Sequence, residues 1–382
     1  MPALGAYGPV NNPKTMLYYL TSAGRPLAMA SFLIDANDWP ADPEPFKRTN
    51  LLIHLLNGVL LCTLLLQLGR MTRRDPASIE WSAALGMGLW LLHPLWASTV
   101  LYIVQREAML STSFVLLGLL AYLHGRSRMA KSPRAGIAWI VGGVGLCTLL
   151  SLLCKANGAL LPLLVTVMEW IFIRQQSGAT PPPRALSRSL TFAIYPAAGL
   201  VVAYLVYAGV QGFAHGMPSF RPWTLGQRLL TEPRVLLDYL RLLIVPRPFS
   251  SGLFNDAYAP SQDWLHPWTT LPSLLAIASL VATAVAIRRR WPAVALGIVF
   301  YLAGHAMESS TLALELYFEH RNYLPSIFLF WALALWLCDG AHWRPFKTTI
   351  AVVALAMLAT ETWAAASIWG NTLDQARIWA LK

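Results

Sequence analysis

Charge is scarce in this sequence, and negative charge is scarcest. Charged side chains make up 12% of the 382 residues, against roughly a quarter in ordinary soluble domains, which argues against a soluble globular chain. Cysteine is scarce too. Cys62, Cys147, Cys154 and Cys338 fall in or at the ends of apolar stretches, with the spacing of neither a zinc site nor a redox pair, and they read as core residues. No internal repeat is visible, which excludes solenoids and arrays. The one low-complexity run is Pro181, Pro182 and Pro183. No apolar block lies close enough to Met1 to serve as a cleavable signal peptide.

What the chain has in excess is apolar sequence. Hydrophobic residues make up 56% of it, in blocks near the ~20 residues a helix needs to cross a hydrocarbon layer of about 30 Å. The blocks lie at 48–69, 81–102, 107–124, 136–153, 157–173, 190–210, 268–288, 291–306, 323–338 and 348–368. Backbone groups in hydrocarbon need internal partners, so such runs are helical. The sequence predicts an all-α polytopic membrane protein with about ten transmembrane helices. Residues 1–382 form one domain, because no soluble linker divides them. Many of the sixteen Trp and thirteen Tyr stand near block ends, where amphipathic rings suit the membrane–water interface.

The basic residues recur in alternate connections. Arg70, Arg73 and Arg74 share one; Arg126, Arg128, Lys131 and Arg134 share another. Arg174, Arg184 and Arg188 follow, then Arg288, Arg289 and Arg290, then Arg344 and Lys347. Short loops rich in Lys and Arg stay in the cytoplasm, so the net charge of +11 belongs on that face. The other face is near neutral, with no nucleic-acid footprint. It carries the longer segments 1–47, 211–267, 307–322 and 369–382. Within the second, 228–245 has helical periodicity, with Thr231, Arg234, Asp238 and Arg241 on one face. That pattern fits a helix lying flat at the interface with its polar face toward water, and equally a re-entrant or ordinary surface helix. Segment 1–47 is polar yet has no helix before it to carry it across, so a further, eleventh helix is expected upstream of Met1.

Ionisable groups at membrane depth are costly, which makes each a candidate for function. The densest group is GHAMESSTLALELYFEHRNYLPS, residues 304–326. On a helix His305, Glu308, Glu315 and Glu319 fall within about 80° of one another. His320, Arg321, Asn322 and Tyr323 follow, and Pro325 ends the run. A solvated interfacial segment explains one polar face; it explains less well so many carboxylates, imidazoles and a guanidinium at the mouth of two helices. Arg25, Arg106 beside Glu107, and Lys155 in CKANG lie in turns on the same side. Singly, each reads as an anchor reaching the headgroups; converging, they read as an anion site, because Arg and Lys suit phosphate. Asn50, His54 and Asn57 read as an interhelical hydrogen-bond network, and His93–Pro94 as a kink. A His/Glu metal site at 305, 308, 319 and 320 has only helix spacing behind it, so no metal and no other cofactor is expected.

Several stretches resemble a known family. RPLAMASF, TNLLIHLLNGVLL, LHPLWASTVLYIVQREAMLSTSFVLLGLLAYL, LLSLLCKANGALLPLLV and LELYFEHRNYLPS occur in its order, over most of residues 20–330. They resemble the C-type glycosyltransferase superfamily, in particular bacterial relatives of the transmembrane TPR-repeat O-mannosyltransferases and the pilin arabinosyltransferases. The resemblance implies transfer of a sugar from a polyprenyl-phosphate carrier to a protein or glycan acceptor, in a bacterial inner membrane with the site facing the periplasm. It implies that Arg106, Lys155 and Arg321 hold the carrier phosphate, with His320 and Tyr323 nearby and Arg25 behind them. Glu308 and Glu319 are the in-chain choices for acid/base work or acceptor contacts, with Asp35 and Asp38 next; His305 and Asn322 complete the candidates. The chain departs from the family in three places. The family's acidic pair, one member of which is the catalytic base, would fall before Met1. Ser98 stands where relatives often carry Glu after His-Pro, and the sequence stops at ARIWALK instead of continuing into TPR repeats.

Three rivals make different demands. A polymerase or ligase of lipid-linked glycans fits the same residues with a glycan acceptor. A transporter or flippase calls for charges along a mid-membrane path and repeated halves with broken helices, whereas here the charges sit at one edge and no repeat is visible. A non-catalytic envelope scaffold predicts that Lys155 and the 304–326 charges tolerate substitution.

Overall fold

The structure, a computed structural model, describes residues 8–22, 24–176, 183–247, 258–340 and 344–380. Pro181 and Pro182, residues 248–257 of the second long segment and the last two residues of ARIWALK lie outside the described residues. Those described are helical with no strand. Two short helices, Pro13–Ser22 and Pro26–Phe32, come first. They are followed by α1 (Pro43–Gly69), α2 (Pro76–Leu91), α3 (Ile103–Arg128), α4 (Pro133–Leu152), α5 (Ala156–Gln176) and α6 (Arg184–His215). Then come α7 (Leu225–Ile244), α8 (Thr270–Ile287), α9 (Pro292–Gly304), α10 (Trp331–Cys338) and α11 (Arg344–Ile368).

Local chemistry explains the starts. Asp42 and Asp75 stand before Pro43 and Pro76, and their carboxylates accept from the amides of Glu44 and Ser78. An N-cap acceptor followed by proline, whose missing N–H would be unpaired anyway, begins a helix well. Thr224 and Gln227 cap one another at the start of α7.

Among the described residues, seven helices are long and apolar enough to cross a membrane: α1, α3, α4, α5, α6, α8 and α11. The other three expected spans, 81–102, 291–306 and 323–338, are shorter helices. α2 stops at Leu91 because His93–Pro94 interrupts it, and a separate short helix runs Trp96–Leu101. α9 has 13 residues and α10 eight, the latter preceded by successive turns from Tyr323.

The bundle has inner and outer helices. The apolar window of α3 is 72% buried and that of α5 61%, against 17% for α8 and 11% for α11. Around α3 pack α1 and α4; α2 lies between α1 and α10; α9 packs on α5 and α8. The outer surfaces are apolar where a soluble protein would be polar: Leu52 and Val59 of α1, Phe192 and Leu200 of α6, and Val352 and Val353 of α11 are all more than half exposed. Contiguous apolar surface on this scale needs a nonaqueous neighbour, and membrane-long helices supply the reason.

The two ends of the bundle differ. At one, Arg126 and Arg174 lie 3.0 and 3.5 Å from the buried Glu169, and Arg74 pairs with Asp339 at 2.6 Å. At the other, the α4–α5 turn and the α9–α10 loop come together.

Candidate functional site

Three pieces of chain build the site, each held by a close approach. The CKANG turn between α4 and α5 is pinned to α3, because the Ser111 and Ser151 hydroxyls are 2.8 Å apart and Ser151 Oγ also donates to the Ser111 carbonyl at 2.9 Å. Gly158 closes that turn so tightly that a Cβ there would lie 2.5 Å from the backbone of Ser151. The amide of Leu27 donates to the Leu153 carbonyl at 3.1 Å, which docks the Arg25 segment on the same turn. The α9–α10 loop is closed at its stem: Gly304 abuts Pro325, where a Cβ would lie 2.9 Å from the proline ring.

The loop between is not the helix that its spacing allowed. α9 ends at Gly304, and residues 305–318 run through turns and extended backbone before a short 3₁₀ turn, Glu319–Asn322. The shared face expected of His305, Glu308, Glu315 and Glu319 therefore does not form. Glu315 turns outward to Arg221, 2.9 Å away, while Glu308 turns inward. The reason is Arg228 on α7. Its guanidinium donates to the carbonyls of Glu308 at 2.6 Å, Ser310 at 2.8 Å, Leu314 at 2.5 Å and Glu315 at 3.3 Å, which draws the loop around it.

Glu308, Lys155, His320, Arg321 and Tyr323 line one cleft, together with Ser111, Thr112 and Asn157 from α3 and the turn. It has room for about one water molecule. Lys155 Nζ sits 2.7 Å from Glu308 Oε1, with Lys155 8% and Glu308 4% exposed. Glu308 Oε2 has no hydrogen-bond partner among the described residues. Arg321 is the loosest-held buried guanidinium: it donates to the Leu316 carbonyl at 3.3 Å and lies 3.9 Å from Glu315. Burial alone would raise the Glu308 carboxyl, but the charges of Lys155 and Arg321 hold it down at about 2. Burial, reinforced by Lys155, keeps His320 well below the usual imidazole range, so it is neutral.

The remaining candidates stand outside this cleft. Arg106 is fully buried and engaged on every side: Nε donates to Asn50, Nη1 to the Ser31 carbonyl, and Nη2 to the Phe46 carbonyl and to Asp35, 2.5 Å away. It ties the N-terminal segment to α1, and Asp35 is its counter-ion and accepts from Thr49 besides. Asp38 is exposed and accepts from the Trp39 amide. Arg25 pairs with Glu107 at the edge of the site. Glu319 is buried one turn away, beyond the lining. His305 and Asn322 are 3.3 Å apart behind the cleft, and Tyr301 OH lies 3.4 Å from Asn322. Tyr323 presents its ring to the cleft, while its hydroxyl is held from behind by His54 at 2.7 Å and Asn57 at 3.2 Å. His54 and Asn57 thus anchor one wall, whereas Asn50 stands apart from them, donating to the Val100 carbonyl and accepting from Arg106.

Two groups escaped the sequence reading. Arg228 and Glu232 are buried, 2.9 Å apart; an Arg–Glu pair at i,i+4 flanking the polar face was the available signal. That face does not meet water over most of its length. Thr231 accepts from the Ser261 amide, Arg234 donates to the Ala259 carbonyl, and Asp238 accepts from Tyr258, so residues 258–261 cover it and Arg241 alone of the four is exposed. The other missed group, Glu169, takes Tyr122 at 2.7 Å as well as its two arginines and is wholly structural.

Chemically the cleft offers a lysine and an arginine for an anion, a carboxylate and a neutral imidazole. Among the described residues no cluster of three His, Cys, Asp or Glu is placed to hold a metal ion. No protein family, no curated protein and no solved structure matches this chain.

Proposed function

We propose that this chain is a membrane glycosyltransferase that moves a sugar from a polyprenyl-phosphate donor to a protein acceptor, on the membrane face opposite the basic connections. One observation carries the reading: Lys155, Arg321, His320 and Glu308 meet in a single buried cleft at the end of the bundle away from those connections. The order of sequence stretches shared with the C-type superfamily supports it. Cations in a water-poor site stabilise a phosphate leaving group without a metal. In the transfer, the acceptor oxygen forms its bond to the anomeric carbon as its proton passes to a carboxylate, for which Glu308 is placed. The bond from that carbon to the phosphate oxygen breaks, and its electron pair stays on the phosphate beside Lys155 and Arg321. Arg106 and Asp35 pair with each other and hold the N-terminal segment in place.

The test is envelope-protein glycosylation in a deletion strain, complemented with the wild-type gene, Lys155→Ala, Glu308→Gln or Asp38→Asn at equal membrane level. The glycan mass shift is expected to return with wild type and Asp38→Asn, and to fall at least ~100-fold with the two cleft variants. A change in lipid-linked glycan alone identifies a polymerase or ligase. Full restoration by every variant overturns the enzyme reading in favour of a scaffold.

A further inference from the structure

Glu308 and Lys155 are both in the cleft, yet each occupies the other. Lys155 Nζ is 2.7 Å from Glu308 Oε1, and with the pair closed the cleft has room for about one water. A phosphate has four oxygens and cannot share that space. Among the described residues Lys155 has no second hydrogen-bond partner to take Glu308's place, and Arg321 has only its long bonds to Leu316 and Glu315. The backbone around Glu308, by contrast, is fixed: its carbonyl accepts from Arg228 Nη2, and Gly304–Pro325 closes the stem. Side-chain rotation of Glu308 is then the direct way to open the cleft.

Resting on the proposed transferase reading, we infer that Glu308 is an exchangeable counter-ion, which the phosphate group of the donor displaces from Lys155 on binding and which that displacement frees to accept a proton. In the empty site the carboxylate satisfies Lys155, so that neither charge is buried alone. When phosphate arrives, Lys155 and Arg321 turn to it, and Glu308 loses the cations that made it a poor proton acceptor. It is then a buried carboxylate beside an anion, which raises its affinity for a proton. One event thus fills the site and arms the base, and the base stays disarmed while the donor is absent. No covalent bond changes in this exchange.

The experiment measures binding of farnesyl phosphate and of inorganic phosphate to the full chain in lipid nanodiscs, by wild type, Glu308→Gln, Glu308→Asp, Lys155→Ala and the double variant Lys155→Ala/Glu308→Gln. Gln cannot compete for Lys155 as an ion, so Glu308→Gln is expected to bind farnesyl phosphate about 10-fold more tightly than wild type while failing in transfer. Glu308→Asp, one methylene shorter, lies between and decides the matter if Gln does not fold. Lys155→Ala is expected to weaken binding about 10-fold, and in that background Glu308→Gln has no further effect. Binding by wild type that depends on Lys155, with Glu308→Gln equal or weaker, overturns the exchange and leaves the transferase reading standing. Tightening for inorganic phosphate but none for farnesyl phosphate upholds the exchange and overturns the lipid donor. No binding of either probe overturns both.

Discussion

A guanidinium buried away from water has five N–H groups to satisfy, and Arg228 satisfies its own largely on backbone, at four carbonyls between Glu308 and Glu315. Lysine there would keep the charge and lose the fork, so Arg228→Lys is expected to lower stability in detergent by about 1–3 kcal/mol. Arg228→Ala, which also strands Glu232, is expected to cost about 3–5 kcal/mol; thermal denaturation of the purified variants checks the order. Glu232 gives a pH signature. Burial raises its carboxyl from 4.5 to about 7, against the opposing pull of Arg228. The folded protein therefore holds this proton where the unfolded chain has lost it, so the contribution of Glu232 to stability is greatest below pH 4.5, declines as pH rises toward 7, and levels off above. Glu232→Gln should flatten this slope and melt higher than wild type at pH 8; identical slopes would show that Glu232 does not titrate there. Sequence alone singled out Lys155, Glu308, His320 and Arg321, which the structure brings to one cleft, because a charge at membrane depth is conspicuous for its cost. It could not separate Arg106 from them. Cost marks both residues alike, and only the positions of Asp35, Asn50 and two carbonyls reveal that Arg106 is already satisfied.

At the scale of elements, the cleft depends on where the α9–α10 loop begins and ends. A Cβ on Gly304 would meet Pro325 Cβ and Cγ at 2.9 Å and its Cα at 3.0 Å, and a proline ring cannot rotate aside. Gly304→Ala is expected to destabilise by about 1–3 kcal/mol and to part Lys155 from Glu308. Gly145→Ala in α4, whose Cβ meets nothing within 4 Å, serves as the control, and a gain of roughly 0.5–1 kcal/mol is expected there from helix propensity. Thermal unfolding of both in one detergent tests the contrast, and equal effects would refute the pinning. The same stem explains why the helix count differs from the sequence expectation. Hydropathy registers apolar length, so it saw 81–102 and 323–338 as spans; hydrogen-bond continuity is what His93–Pro94 and Pro325 interrupt. The capping pairs at Asp42, Asp75 and Thr224 are local, acting over two or three residues. The loop after Gly304 is not, since its course is set by Arg228, far away in sequence.

For the whole molecule, the apolar exterior and the unequal ends fix how the chain can lie. If α3, α4 and α5 cross the membrane in succession, the turn holding Lys155 lies opposite the connections carrying Arg126, Arg128, Arg134 and Arg184. Clustered Lys and Arg resist translocation, so the basic end is expected in the cytoplasm and the cleft outside it. Native thiols are few, and Cys62, Cys147 and Cys338 are part-buried and Cys154 buried, which makes a cysteine-free background practical. In that background, Asp263→Cys, in the exposed turn before α8, is expected to react with a membrane-impermeant maleimide in intact cells. Arg128→Cys, exposed at the foot of α3, is expected to react only after permeabilisation. The reverse pattern would put the cleft in the cytoplasm, where a donor presented on the outer leaflet could not reach Lys155. Labelling of both in intact cells would contradict the crossing of α3 itself. If Asp263→Cys alone reacts, the cleft opens to the side on which acceptor proteins emerge, which is the geometry the proposed transfer requires.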